Sequence, residues 1–168
     1  DGRSLREVLR SAGALLPRRA VEIAAEVSAA LSVAHRAGLV HRDIKPENVL
    51  IAVDGEVKLV DFGLVRAIAE AGITSTSVIL GTAAYLSPEQ VEGKPTGPRS
   101  DVYATGIMAF ELLTGTTPFT GDTALTVAHP RLDRDVPPPS SVLQGAPPPL
   151  AAFIARATAR RHEDRFAD

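Results

Sequence analysis

The chain of 168 residues has no cysteine. That excludes a disulfide framework and any thiolate-held metal centre, and it favours an intracellular setting. It has no excess of either charge: 18 Lys and Arg against 20 Asp and Glu leave −2. Neither a basic nucleic-acid surface nor an acidic tail is written into such a composition. No apolar run is long enough to span a bilayer, and the opening DGRSLREVLR has none of the marks of a signal peptide. A membrane anchor would have to lie outside this stretch. There are no internal repeats and no glycine-rich G-x-G-x-x-G loop. What the chain does have is an apolar content of 45% at the length of one ordinary domain, enough for a sizeable core.

Ser4-Leu-Arg-Glu7 reads as a capping box opening a short helix that Gly13 interrupts. Pro17 stands where a first helical turn tolerates proline, and Ile23, Val27, Ala30 and Ala34 recur at helical spacing until Gly38. Val49 to Val53 and Val57 to Val60 read as two short strands joined at Asp54-Gly55 by a two-residue hairpin turn. Ala69 to Leu80 has no period and carries the hydroxyl run Thr74, Ser75, Thr76, Ser77, so a loop is expected. Ser87-Pro88 starts another helix, and Ser100 caps a further one through Val102, Ile107, Phe110 and Leu113 to Gly115, apolar nearly all round and so buried. Pro130 should shorten the helix before it, and the Pro-rich run from Arg131 to Pro149 predicts an irregular connection. Leu150, Phe153, Ile154 and Ala157 restart a helix. The expected fold is mainly α with one small β-hairpin.

Chemistry concentrates in VHRDIKPENVLI, Val40 to Ile51. Asp43, Lys45 and Asn48 are polar groups that an apolar core would reject. The strand pairing brings this cluster towards Asp61, just past the second strand. An amide oxygen and a carboxylate converging there, Asn48 with Asp61, form a hard-oxygen environment suited to Mg²⁺. Asp43, near but off the metal, is placed to orient a hydroxyl and take its proton. Lys45 is placed to neutralise a transferring phosphoryl group. Each of these residues alone is more often a cap or a surface charge. Together they describe a phosphoryl-transfer site.

HRDIKPEN, then Asp61-Phe62-Gly63, then Ser87-Pro88-Glu89 (for the more usual Ala-Pro-Glu) stand in the order and rough spacing of the eukaryotic-type protein kinases. The chain resembles the C-terminal lobe of such a kinase, and within that family the bacterial, actinobacterial-like serine/threonine group, as GTAAYLSPEQ, SDVYATG and TGTTPFTGD suggest. The resemblance implies transfer of the ATP γ-phosphate to protein Ser/Thr hydroxyls, with Mg²⁺, or Mn²⁺ in its place, as the metal. It makes Asp43 the catalytic base, Lys45 the phosphate-facing cation, Asn48 and Asp61 the metal ligands, and Leu50 the residue under the adenine ring. Thr82 is expected to hydrogen-bond both Asp43 and Lys45. His41 and Phe62 would stack within a buried spine, Asp101 would anchor the catalytic-loop backbone, and Glu89 with Arg165 would form a buried ion pair. Arg42 precedes the catalytic acid, and Thr74 and Thr76 are the implied regulatory phosphosites, modified between two kinase copies in a homodimer. His162 stands where the family has Pro, a departure that touches turn geometry rather than chemistry.

The same resemblance makes residues 1–168 a lobe fragment, from the end of the inter-lobe hinge to the helix before the final one. The strand lysine of V-A-I-K and its helix glutamate are not in this stretch, so the stretch alone would be inactive without its N-terminal lobe. The implied partners are proteins bearing Ser/Thr, with no nucleic acid, and the implied location of the kinase domain is cytoplasmic. One rival, a small-molecule phosphotransferase of the aminoglycoside type, would have no need of GTAAYLSPEQ. A second, a non-catalytic kinase-like scaffold, would have no need of an intact Asp43, Asn48 and Asp61.

Overall fold

In the computed structural model, which describes residues 2–62 and 81–168, helix α1 (Leu5–Ala12) starts on the expected capping box. Ser4 Oγ accepts from the Glu7 amide at 3.2 Å, and the Glu7 carboxylate accepts from the Ser4 amide at 2.8 Å. Helix α2 (Pro17–Arg36) carries Pro17 in its first turn and ends just before Gly38, whose φ of 78° suits glycine. One stripe of α2 (Ile23, Ala24, Val27, Leu31 and Ala34) is buried. The stripe turns over Leu31 rather than the expected Ala30, as a 3.6-residue period allows.

The sheet holds one strand more than the sequence suggests. Strand β1 (Gly2–Ser4) pairs antiparallel with β2 (Val49–Ala52), which pairs antiparallel with β3 (Val57–Leu59), in the order β1-β2-β3. Three residues leave no periodicity to read, so β1 is visible only through its partner. The hairpin turn also differs from expectation. The Ala52 amide donates to Glu56 O at 2.9 Å, which leaves Val53, Asp54 and Gly55 as a three-residue loop. Gly55 adopts φ 91°, the glycine conformation such loops require.

Helix α3 (Pro88–Val91) is capped by Ser87, whose Oγ accepts from the Gln90 amide. Helix α4 (Pro98–Thr114) is buried at every residue from Ser100 to Leu113. Its cap is Gly97, with Pro98 in the first turn. Ser100 therefore lies inside the helix, where its hydroxyl donates to Glu89 Oε1 at 2.7 Å. The pair Gly-Pro won the cap because proline is preorganised for the first turn and its missing N–H costs nothing there. Gly115 closes α4 at φ 78°. Helix α5 (Ala124–Ala128) is short, as Pro130 dictates, and passes into a 3₁₀ turn at His129–Leu132. The proline-rich run that follows contains one more 3₁₀ turn, Pro139–Ser141. Helix α6 (Pro148–Ala157) buries Leu150, Ile154 and Ala157. A Cβ on Gly106 would stand 2.7 Å from Thr158 Cγ2 and 2.9 Å from Ala157 Cβ, so the end of α6 lies on bare backbone of α4. The core runs between α2, α4 and α6, with the sheet at one side. Among the described residues no helix is long and apolar enough to cross a membrane.

Candidate active site

Helix α2 delivers the chain into residues 40–48, and the start of α4 fixes them there. The Asp101 carboxylate is 1% exposed. Its Oδ1 accepts from the Arg42 amide at 2.7 Å, while Oδ2 accepts from the His41 amide at 2.8 Å and from His35 Nε2 at 2.8 Å. A buried carboxylate is tolerable because it is met by these donors and by the positive end of α4. The His41 ring is held at both nitrogens: Nε2 donates to Val60 O at 2.8 Å, and Nδ1 accepts from the Asp43 amide at 3.3 Å. Those two bonds select one neutral tautomer. Arg42 sits at φ 68°, the left-handed region, and Asp61 at φ 62°. Each such non-glycine residue costs roughly 1–2 kcal/mol, so the surrounding bonds must hold it in place.

Around Asp43 the expected residues do converge. Lys45 Nζ lies 2.8 Å from Asp43 Oδ2, and Asn48 Nδ2 donates to the same oxygen at 3.0 Å and to Asp43 O at 2.8 Å. Both contacts fall on Oδ2, so among the described residues Oδ1 is the oxygen left for another partner. Lys45 Nζ also donates to Thr82 Oγ1 at 2.9 Å. Thr82 thus reaches Asp43 only through Lys45, not by the direct bond expected as well.

Asn48 closes a 3₁₀ turn, Pro46–Asn48, and its carbonyl accepts from the Val60 amide at 3.0 Å. That bond sets Asp61 one residue from a backbone pairing with Asn48. With Nδ2 committed to Asp43, the amide oxygen of Asn48 is its free end among the described residues. Among the described residues no three His, Cys, Asp or Glu side chains are grouped to hold a metal ion. An amide oxygen with one carboxylate is instead the donor set of an ion that takes its remaining ligands from water and phosphate. Leu50 is half-buried on β2, between Ser4 and Lys58 of its neighbours.

Phe62 departs from expectation. Its ring centroid is 4.5 Å from that of His41, with planes tilted by 48°, so the contact is there. Yet Phe62 remains 40% exposed, and only His41 is buried. The ring leans one face on His41, which leaves it a half-covered cap and not a member of a buried spine. Thr74 and Thr76 lie outside the described residues. The Glu89–Arg165 pair is present: Nη1 to Oε1 at 2.8 Å and Nη2 to Oε2 at 3.0 Å, a bidentate bridge with the Arg165 side chain fully buried. Burial on its own would raise the Glu89 pKa, but the hydrogen bonds from Arg165 and Ser100 outweigh it and bring it to about 2.

Several groups escaped the sequence reading. His35 lies in the last turn of α2, and the fold sets it on Asp101. Gln90 Nε2 donates to Arg42 O at 3.1 Å and so ties α3 to the strained residue. Arg6 joins three distant segments: Nε to Glu47 Oε1 at 2.8 Å, Nη1 to Glu111 Oε1 at 2.7 Å, and Nη2 to the Tyr85 hydroxyl, which itself donates to Glu111. Burial pushes the Tyr85 phenol well above its ordinary value, and the Glu111 charge adds to the shift. These partners are separated by up to 105 residues, and no local pattern announces them.

The family model for the protein kinase domain matches residues 1–167. The serine/threonine-protein kinase PknL of Mycobacterium tuberculosis (strain ATCC 25618 / H37Rv) is 59% identical over 168 residues, all of this chain and 42% of the relative. The serine/threonine-protein kinase PknB of the same strain is 42% identical over 168 residues, which cover 99% of this chain and 27% of PknB. PknB of Mycolicibacterium smegmatis has the same identity and the same coverage. The chain therefore spans less than half the length of the curated relatives it matches.

Proposed function

This chain belongs to the protein kinase family, and from that premise we propose that it carries the catalytic loop of a serine/threonine protein kinase of bacterial type. It forms the C-terminal lobe, residues 1–168, and works with an N-terminal lobe encoded upstream. The observation that carries the reading is the cluster on Asp43: one carboxylate oxygen tied to Lys45 and Asn48, the other left for a substrate. A Ser or Thr hydroxyl of the protein substrate gives its proton to Asp43 Oδ1. Its oxygen forms a bond to the γ-phosphorus of ATP while the bond from that phosphorus to the bridging oxygen of ADP breaks. Lys45, shared between Asp43 and Thr82, faces the transferred group and offsets its charge. Asn48 and Asp61 would hold Mg²⁺, or Mn²⁺, which when bound neutralises phosphate oxygens. Leu50 lies under the adenine, and segment 81–87 receives the protein substrate. ATP as co-substrate places the domain in the cytoplasm, with any membrane anchor outside this stretch.

The test is γ-phosphate transfer by the full-length enzyme to itself and to casein at varied Mg²⁺. Wild type is expected to label Ser or Thr. Asp61→Asn should raise the Mg²⁺ needed for half-maximal nucleotide binding by roughly tenfold or more, since a ligand charge is lost. An unchanged Mg²⁺ dependence would remove Asp61 from the metal site.

Regulation belongs to the same reading. Arg42 Nε is buried with no hydrogen-bond partner among the described residues, beside the loop that must be rigid for transfer. Phosphate on Thr74 or Thr76 supplies about two negative charges and three acceptor oxygens for such a guanidinium. A second copy of the kinase in a homodimer catalyses that transfer from ATP. Mass spectrometry of the active enzyme is expected to find phosphate at one or both residues, and Thr74→Ala with Thr76→Ala should lower transfer several-fold. Full activity in that double variant would show that Arg42 needs no phosphate.

A further inference from the structure

Arg131 is wholly buried, and among the described residues every hydrogen bond it makes goes to a backbone carbonyl. Nη1 donates to Leu86 O, and Nη2 donates to Ala84 O at 3.2 Å and to Val127 O at 3.0 Å. Its Nε is buried without a partner among the described residues. Burial lowers its pKa from the ordinary arginine value. A cation enclosed in this way, met by dipoles instead of a counter-charge, is costly. An apolar residue of similar size would fill the space at less cost, so the position of its donors is what distinguishes it.

Those donors act on the backbone of a segment otherwise held through the Tyr85 hydroxyl and the Ser87 cap. Residues 84–87 form neither helix nor strand, so their carbonyls need partners from elsewhere. Arg131 supplies two of them from a single rigid fork. The same guanidinium lies 5.7 Å from the centroid of the Phe119 ring. Ala84, Phe119 and Val127 are also three walls of an open cleft of about 250 Å³, to which Gly81 and Tyr85 contribute next to Thr82. One buried group therefore braces three walls of a cleft that Gly81, the residue before Thr82, also lines.

We propose that Arg131 is a positioning residue for the protein substrate, setting the Ala84–Leu86 wall against which the acceptor polypeptide lies. The inference rests on the kinase reading and extends it to a residue that has no contact with Asp43, Lys45, Asn48 or Asp61. Its effect falls on capture of the polypeptide and not on the nucleotide.

Steady-state kinetics of the full-length enzyme with casein, or with a synthetic peptide of residues 69–81 if casein is not labelled, tests this. Arg131→Lys keeps the charge but cannot span Ala84 and Leu86 together. It is expected to raise the acceptor KM about tenfold, the worth of one charge-assisted hydrogen bond, with the ATP KM changed less than about twofold. Arg131→Gln should raise it further, and hydrogen exchange should quicken at residues 84–87. If Arg131→Gln does not fold, Arg131→Lys alone carries the measurement. An unchanged acceptor KM in folded Arg131→Lys overturns the proposal, as does a parallel loss in both KM values and kcat. A wild-type enzyme that labels neither itself nor an acceptor overturns the kinase reading and this inference with it.

Discussion

Asp43→Asn in the full-length enzyme is expected to cut phosphoryl transfer by roughly a thousandfold, the middle of the range that a positioned base supplies. The substitution is nearly isosteric, so the loop should keep its course. Asp101 still holds the amides of His41 and Arg42, and His41 Nδ1 still accepts from the backbone at position 43. What changes is the charge and the proton-accepting oxygen. Lys45 Nζ, now 2.8 Å from a carboxylate, would face a neutral amide, and Asn48 Nδ2 would compete for the same carbonyl oxygen. The thermal midpoint should therefore fall by only a few degrees, in keeping with about 1–2 kcal/mol lost from one largely buried pair whose partners keep their hydrogen bonds to the new amide. Nucleotide binding should stay near normal, because Asn48 and Asp61 are untouched. Transfer within tenfold of wild type would remove Asp43 from the role of base. A collapsed melting curve would instead make it a structural anion.

How far all this could be read beforehand depended on distance along the chain. The capping boxes at Ser4 and Ser87, proline in the first turn of α2, and the glycine stops are local devices, and they fall where the residues place them. The Asp43–Lys45–Asn48 cluster spans six residues, so its convergence was also legible. Errors arose where two local signals competed or where the partner was remote. Ser100 reads as the cap, but the helix starts earlier, at Gly97-Pro98, because proline is preorganised for the first turn. Asp54-Gly55 reads as a two-residue turn, but the pairing of Ala52 with Glu56 admits Val53 to the loop. Strand β1, the His35–Asp101 bond, and the Arg6 and Arg131 networks all depend on neighbours that only the folded chain assembles. Phe62 shows the other limit. The motif indicated its contact with His41 but not how much of the ring that contact would cover.

Removing Glu89 should cost more stability than any other single change at the ion pair's end of the molecule except removal of Arg165 itself. Arg165 is fully buried and is surrounded by acceptors: Glu89 through both Nη atoms, Ala159 O at 2.7 Å, Arg160 O at 2.9 Å and Arg99 O at 3.0 Å, with the Tyr103 ring centroid 4.9 Å away. Glu89→Ala leaves that cation without its only counter-charge among the described residues, a defect that costs about 3–5 kcal/mol in buried pairs. Arg165→Ala should cost at least as much, since it also orphans three carbonyls that join α4 to the residues after α6. The dependence on pH follows from the Glu89 pKa of about 2, below the usual glutamate value of 4.5. A depressed folded-state pKa means that the unfolded chain binds the proton more readily. The contribution of the pair is thus complete above about pH 4.5 and is lost as pH falls towards 2. Urea unfolding of wild type and Glu89→Ala at pH 6 and at pH 3 provides the check. Other carboxylates titrate in both proteins and cancel in the difference, so the gap between the two should narrow at pH 3. A gap below about 1 kcal/mol at pH 6 would place the pair with weak surface bridges. A gap that does not change with pH would mean that Glu89 stabilises the fold by packing rather than by charge.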